Sequence, residues 1–396
     1  MNVDIKAVDA QVRREDRESW QLMQTLLHEL GGLVMQADQE ADIPASLWSR
    51  VPVGPLNRFN MPQAHGGVSS TGSAVHRCIL FEQLGRVCPG LAIALPGPGL
   101  SMPPVFALGT PEQQRVYFER FHDEHRPVWG VFAITEPGIG SDATALRLHA
   151  RRDGDDYVLN GEKCFITNGM RADVIVVFAT LDASKGRFGI RAFVVDKNAK
   201  GFSADRCEDM MGLRASQLTS LSFQDCRVPA GAMLGHNGKR GPLIDAFTGA
   251  QYAWDYMRPA LSSLINGACA GALALARQIA AHDDGGLSAQ ARQAVQADLD
   301  TYQARLESAR LLTLRAAWRY DQELRVSLDA SMAKAFTSTL SMELAQYLSQ
   351  RFALAAPAVR QRFDKFYRDA KAFDILEGTG DMQRQMIARA FDPTAY

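Results

Sequence analysis

The sequence predicts a mainly α-helical protein with a β-domain in the middle of the chain. Apolar residues recur at helical spacing over residues 1–128 and again over 239–396. Between them, residues 129–238 hold short runs of β-branched and aromatic residues with turn signals close by. The chain therefore divides into an N-terminal helical part (1–128), a middle β part (129–238) and a C-terminal helical part (239–396).

Composition limits the class of protein. The chain has 396 residues, of which 46% are hydrophobic and 22% charged, with a formal net charge of -1. This balance excludes a disordered chain and a global basic field for nucleic acid. Uninterrupted apolar runs stay below the ~20 residues that a membrane span needs, and residues 1–20 mix acids and bases as an untargeted cytoplasmic start does.

The spacing of apolar residues and the positions of prolines predict the helices and loops of the first part. One amphipathic helix is indicated by Trp20, Met23, Leu27, Leu30 and Val34. Pro44 opens the next helix, and residues 76–86 return to helical spacing. The prolines over 52–62 and 89–104 predict loops. Thr110, followed by Pro111, is typical of a helix start.

Four short strands are indicated in the middle part, over residues 128–134, 156–159, 174–179 and 191–195. Asn160-Gly161 lies between two apolar runs and predicts a hairpin turn, and Asn168-Gly169 predicts a second turn. Short strands with close turns favour a small antiparallel barrel or sandwich.

Long helices are predicted in the last part. Residues 266–281 are rich in Ala, Gly and Leu, residues 295–309 carry a regular apolar stripe, and residues 327–354 continue the helical period. Short connections between long helices predict an antiparallel bundle.

The sequence lacks the motifs of several common kinds of catalytic and binding site. Gly138–Ala143 matches a dinucleotide fingerprint, but residues 146–151 then alternate like a strand rather than opening a helix. The segment is either a plain glycine turn or a place where backbone, Thr135 and Ser141 approach a ligand. There is no Gly-x-Ser-x-Gly, and neither the eight His nor the six Cys show metal-ligand spacing, so we predict no metal site.

Glu377 is the strongest catalytic candidate. Phe373, Ile375 and Leu376 flank it with apolar side chains, and nearby glycines indicate a loop. A carboxylate in an apolar pocket has a raised pKa and becomes a stronger base, although a surface loop acid would have the same local sequence. Arg258, just before a proline at the start of a helical region, either fixes an anion or pairs with Asp255.

Four motifs in order resemble the acyl-CoA dehydrogenase family of flavoproteins. They occupy residues 133–142, residues 160–169, residues 212–216 with 223–229, and residues 368–371 with 376–379 and 383–384. Phe165 stands where relatives usually have Trp. The resemblance implies N-terminal helices, a middle β-barrel and a C-terminal four-helix bundle, with one FAD held between barrel and bundle.

The resemblance also implies roles for individual residues. The cofactor-binding positions are Phe132, Ile134, Thr135, Gly140, Ser141, Phe165, Thr167, Thr379 and Asp381. The substrate-binding positions are Ser141, Asp255, Arg258 and Gly378. Glu377 would be the catalytic base.

The implied activity is FAD-dependent dehydrogenation of an acyl thioester. Glu377 would remove the α-proton while hydride leaves the β-carbon for flavin N5, giving a 2,3-enoyl thioester on CoA or on an acyl carrier protein. Relatives usually pass electrons to an electron-transfer flavoprotein and form homodimers or homotetramers. An oxidase, monooxygenase or desulfinase of the same fold is the alternative, which Glu377 disfavours. A cofactor-free scaffold or binding protein is the third hypothesis.

The chain departs from the family at two stretches that usually hold the FAD diphosphate. Residues 280–287 stand where relatives carry Arg-x-x-Phe-Gly, and they have acids in place of the cation. Residues 350–357 stand where relatives carry Gln-x-x-Gly-Gly-x-Gly, and they also lack that motif. The adenine half of FAD must therefore be held differently or more weakly.

Overall fold

The computed structural model describes residues 16–69, 72–235, 246–282 and 288–392. Its N-terminal helices are α1 Arg17–Gly31, α2 Val34–Glu40, α3 Val53–Asn57, α4 Ala74–Val87, α5 Pro89–Ala94, α6 Met102–Leu108 and α7 Pro111–Glu119. The expected start of α7 is confirmed, because Thr110 forms a capping box with Gln113. The structure also has a helical turn directly after Pro44, over Ala45–Ser49.

The two proline-rich stretches are not the plain loops that the sequence predicted. The short helices α3 and α5 lie within them, and α6 begins within the second. Proline occupies the first turn of α5 and of α6. Proline is tolerated there because the first backbone N–H groups of a helix have no partner within it.

The middle part forms one seven-stranded curled sheet. Its strands are β1 Gly130–Ala133, β2 His149–Asp153, β3 Asp156–Ile166, β4 Val174–Thr180, β5 Ile190–Asp196, β6 Phe202–Cys207 and β7 Thr219–Pro229. The order is β1-β4-β2-β3-β7-β6, and β5 pairs with β4. β1 runs parallel to β4, so the sheet is mixed rather than purely antiparallel.

The hairpin expected at Asn160-Gly161 is wrong, because both residues lie inside β3. They form a bulge against β7, where the pairing register shifts between Leu159 and Gly161. The Asn160 side chain accepts a hydrogen bond from the backbone N–H of Asp225 on β7 at 2.8 Å. Gly161 has φ 140°, and a Cβ there would lie 2.8 Å from the Cα of Leu148, which explains the glycine.

The C-terminal part is a helical bundle, as predicted. It consists of α8 Ala246–His282, α9 Ala289–Asp321, α10 Ser327–Arg351, α11 Pro357–Ile375 and the shorter α12 Gly380–Phe391. Arg258 was expected at the start of a helical region, but Pro259 lies inside α8, which is already helical from Ala246.

One apolar core joins the N-terminal helices to the bundle. Its fully buried members include Leu26, Leu91, Leu264, Leu299 and Leu344. Two further cores fill the sheet and the region between the sheet and α6 to α8. The predicted fold class is confirmed, whereas the boundaries 1–128, 129–238 and 239–396 stay predictions.

Within the described residues, the helix over 246–281 is long and apolar enough to cross a membrane. Most of its apolar window is buried inside the protein, as in the core helix of a bundle.

Candidate active site

Glu377 lies in a tight loop between α11 and α12. Glu377 and Gly378 both have positive φ, at 55° and 94°. For a residue with a side chain, this left-handed backbone costs roughly 1–3 kcal/mol and persists only where surrounding contacts offset that cost. The expected loop is therefore confirmed, and its conformation requires contacts that fix it.

Three buried side chains supply those contacts by donating to backbone carbonyls of the loop. Arg258 Nε on α8 donates to the Glu377 carbonyl at 3.1 Å. Lys334 Nζ on α10 donates to the Gly378 carbonyl at 2.9 Å. Gln383 Nε2 on α12 donates to the carbonyls of Glu377 and Gly378 at 3.2 and 3.1 Å. Side chains from three helices thus hold the backbone of one short loop by hydrogen bonds.

The carboxylate of Glu377 makes no hydrogen bond or ion pair with any of the residues that the structure describes. Its Oε2 atom is buried and makes no hydrogen bond within the described part of the chain, although the residue as a whole is half-buried. Burial raises the pKa of Glu377 to about 7, against the opposing charges of Arg258 and Lys334. Near neutral pH such a group both accepts and releases protons readily, as a general base requires.

Asp255 and Arg258 do not form the ion pair that was one of the two expectations for Arg258. The Asp255 carboxylate accepts hydrogen bonds from Ser327 Oγ at 2.7 Å and Gln251 Nε2 at 2.9 Å. Burial raises the pKa of Asp255. Asp255 therefore connects α8 to the start of α10, while Arg258 holds the loop that carries Glu377.

A second buried cluster fixes the backbone between β1 and β2. Lys163 Nζ contacts Glu136 Oε1 at 2.7 Å and donates to the Ile134 carbonyl at 2.9 Å. Glu136 also accepts from the backbone N–H groups of Arg147 and Leu148, at 2.6 and 2.9 Å. Burial lowers the pKa of Lys163 to about 8, opposed by Glu136. Sequence reasoning placed both charged residues in motifs but gave them no role.

The segment held by this cluster carries several predicted flavin positions. The side-chain hydroxyls of Thr135, Ser141 and Thr167 make no hydrogen bond to any described residue. A Cβ on Gly140 would meet open space. The ring of Phe165 is 54% exposed, on a backbone with φ 55°. Free hydroxyls, an uncovered aromatic ring and open backbone suit a planar ring system with polar edges, so these residues fit FAD.

The remaining predicted cofactor positions differ in exposure. Ile134 is buried, and half-buried Phe132 packs on Phe178 with ring centroids 5.1 Å apart. Thr379 caps α12 by accepting from the backbone N–H of Met382 at 3.3 Å, which leaves its O–H as a donor. Asp381 is exposed and pairs with Arg384 at 3.1 Å.

Other expectations concern absent motifs. A dinucleotide-binding loop would lead into a helix. Gly138–Ala143 instead leads through a short turn into β2. No group of three or more His, Cys, Asp or Glu in the described ranges could hold a metal ion. Of the two divergent stretches, residues 283–287 lie outside the described residues, and residues 350–357 end α10 and begin α11.

The chain matches the acyl-CoA dehydrogenase family in three consecutive parts. The N-terminal domain of the family matches residues 13–124, its middle domain residues 131–226, and its C-terminal domain residues 247–391. The order of these matches is the order of helices, sheet and bundle in the structure.

Relatives of known name indicate the same family. The chain is 32% identical over 362 residues to the mitochondrial short-chain specific acyl-CoA dehydrogenase of Bos taurus, covering 91% of the chain and 85% of that protein. It is 34% identical to the cyclohex-1-ene-1-carbonyl-CoA dehydrogenase of Geobacter metallireducens, covering 85% of the chain and 87% of that protein.

Among solved structures, butyryl-CoA dehydrogenase from Megasphaera elsdenii superimposes with a TM-score of 0.82 at 27% identity, covering 94% of this chain and 97% of that one. The fold, the sequence matches and the residues that fit FAD all point to the same family. The chain therefore belongs to the acyl-CoA dehydrogenase family and is an FAD-dependent oxidoreductase acting on CH–CH bonds.

Proposed function

We propose that the chain dehydrogenates an acyl thioester at its α and β carbons, with Glu377 as the base that takes the α-proton. One observation carries this proposal. Glu377 presents a buried carboxylate oxygen without a hydrogen-bond partner among the described residues, on a loop that three helices hold. A structural carboxylate would be paired, because burying an unpaired charge is costly.

The loop also offers a donor for the charge that develops on the thioester oxygen. The backbone N–H of Glu377 has no acceptor within the described part of the chain. A fixed donor of this kind stabilises an enolate without reorganising during the reaction. FAD, when bound, would supply the acceptor for the hydride that leaves the β-carbon. Holding substrate against a fixed carboxylate supplies the orientation that a weakly acidic C–H needs.

The proposed cofactor contacts come from both sides of the site. Thr135, Gly140, Ser141, Phe165 and Thr167 would meet FAD from the β-domain, as their free hydroxyls and exposure support. Phe132 and Ile134, on and directly after β1, would also contact it from the β-domain, whereas Thr379 and Asp381 would contact it from the start of α12.

Substrate binding is proposed at Ser141, Asp255, Arg258 and Gly378. The names of the relatives, which end in CoA dehydrogenase, support an acyl-CoA substrate. An acyl group on an acyl carrier protein is the other carrier to test. An electron-transfer flavoprotein is the proposed acceptor, and a homodimer or homotetramer the proposed assembly. A cytoplasmic location stays a prediction from the sequence.

The proposal is tested by Glu377→Gln in purified holoenzyme. We expect normal folding and flavin content but turnover of short acyl-CoA thioesters, with an artificial electron acceptor, lowered by at least about a hundredfold. Glu323→Gln is the matched control, because Glu323 is also a Glu at positive φ but is exposed. Turnover near the wild-type rate in Glu377→Gln would reject Glu377 as the base.

A further inference from the structure

Lys334 is a buried lysine next to the loop at residues 376–379, here called the base loop because it carries the proposed base Glu377. Its side chain is fully buried on α10. Its ammonium group donates to the carbonyls of Asp374 at 3.0 Å and Gly378 at 2.9 Å. These two carbonyls stand on either side of Glu377 along the chain, so one charged group spans the backbone that carries the base.

The ammonium group has no carboxylate within salt-bridge distance among the described side chains. The charged groups that face it are the carboxylates of Asp374 and Glu377 and the cations of Arg258 and Arg384. Burial lowers the pKa of Lys334 to about 8, with Asp374 and then Glu377 acting in the opposite direction. An isolated buried ammonium is costly, so a fully buried lysine at this point needs a reason.

The reciprocal effect on Glu377 gives that reason. Burial raises the pKa of Glu377, and the charges of Arg258 and Lys334 lower it. Arg258 donates to the carbonyl of Glu377 itself, whereas Lys334 holds the carbonyls before and after it. Lys334 is therefore placed to act on both the backbone and the charge of the base.

We propose that Lys334 is a positioning residue for Glu377, clamping the two flanking carbonyls and supplying the buried positive charge that keeps the carboxylate ionised. This inference rests on the proposed role of Glu377 as the base. Without the positive charge, more of the Glu377 population would be protonated near neutral pH and unable to take a proton. Without the clamp, the carbonyls of Asp374 and Gly378 would each lose one donor, only Gln383 would remain on Gly378, and the left-handed loop would relax.

The test compares Lys334→Met, Lys334→Gln and Lys334→Arg in the holoenzyme. For both neutral variants we expect the acid limb of the kcat profile to move to higher pH, with kcat at pH 6 at least about tenfold lower and KM changed by less than about threefold. Lys334→Arg, which keeps the charge, should keep the limb near its wild-type position.

Lys365→Met is the matched control. Lys365 is also buried, but it pairs with Asp369 at 2.5 Å on α11, away from the base loop. We expect this variant to lose thermal stability without moving the acid limb. Equal displacement of the limb in Lys365→Met and Lys334→Met would contradict a specific action of Lys334.

A second readout needs no substrate. The infrared band of the protonated Glu377 carboxyl group is identified by difference from Glu377→Gln. Its intensity is then followed against pH in wild type and in Lys334→Gln. We expect the band to persist to higher pH in Lys334→Gln, and an unchanged titration in the folded variant would overturn the proposal. If neither neutral variant folds, Lys334→Arg is the deciding variant. Because it keeps the positive charge, a titration of Glu377 shifted to higher pH in this variant would contradict the proposal.

The two readouts also separate the inference from the proposed function. If Glu377→Gln kept its turnover, the role of Glu377 as base would fail. The infrared titration would still show whether Lys334 controls the ionisation of Glu377.

Discussion

At the scale of single residues, the feature that suits Glu377 to its proposed role as a base also reduces the stability of the fold. The pKa of Glu377 is about 7 in the folded chain, against an ordinary value of 4.5. Between these values the folded state binds more protons than the unfolded state, so the free energy of unfolding falls as pH rises through this window.

We therefore predict that Glu377→Gln is more stable than wild type at pH 8 but not at pH 5. Removing the ionisable group should raise the free energy of unfolding by up to about 3 kcal/mol above pH 7, with little gain near pH 5. Urea unfolding at the two pH values measures this. Glu323→Gln should show no such pH-dependent gain, and a gain of equal size at both pH values in Glu377→Gln would refute the explanation.

Thr135 gives a prediction about the cofactor. Its hydroxyl makes no hydrogen bond to any described residue, so Thr135→Val should leave the stability of the apoprotein nearly unchanged. If the hydroxyl contacts FAD, its loss should weaken FAD binding by roughly 2- to 10-fold, the value of one hydrogen bond, or alter the flavin spectrum.

Fluorescence titration of the apoprotein with FAD checks this prediction. Thr144→Val is the control on the same segment, because the hydroxyl of Thr144 already donates to Asp142. If Thr135→Val showed an unchanged affinity and an unchanged spectrum, Thr135 would be a structural residue of the loop.

At the scale of elements, periodicity predicted the long helices well, because a buried stripe repeats along each of them. It misread Asn160-Gly161, whose local sequence is that of a hairpin but whose role depends on Asp225 of β7. Lys163 and Lys334 were missed for the same reason. Each has its partners in another element, and spacing along one element holds no information about them.

The Lys163–Glu136 pair yields a prediction for the segment between β1 and β2. Lys163→Met would leave the buried carboxylate of Glu136 without its cation, which costs about 3–5 kcal/mol in such sites. We expect a lower free energy of unfolding and faster hydrogen exchange at the amides of Arg147 and Leu148, which donate to Glu136.

Hydrogen exchange followed by mass spectrometry measures the second effect. Lys185→Met is the control, because Lys185 pairs with Asp182 on the exposed surface of the same domain. Exchange at Arg147 and Leu148 as slow in Lys163→Met as in wild type would show that the ion pair does not hold this segment.

At the scale of the whole molecule, α11 connects the parts of the site. It ends at the base loop, and near its middle Asp369 accepts from the backbone N–H of Leu213 at 2.6 Å. Its neighbour Arg368 donates to the Met211 carbonyl at 2.8 Å. The helix that leads into the loop of Glu377 is thus attached to the β-domain that carries the predicted flavin positions.

Asp38 extends this connection to the N-terminal helices. Buried on α2, it pairs with Arg368 of α11, and its backbone carbonyl accepts from Arg214 Nε at 2.8 Å. The carboxylate of Asp38 therefore joins α2 to α11, and its backbone carbonyl joins α2 to the segment before β7. A change at Asp38 should act on the contact between the parts rather than on any one of them.

We predict that Asp38→Asn lowers the free energy of unfolding by about 1–3 kcal/mol, since it removes a charge-assisted hydrogen bond in a buried place. It should also broaden or split the calorimetric transition, because the parts then unfold less cooperatively. Asp153→Asn, which weakens an exposed ion pair with Arg227 inside the β-domain, should leave a single transition. A transition as sharp in Asp38→Asn as in Asp153→Asn would mean that apolar packing alone couples the helices to the sheet.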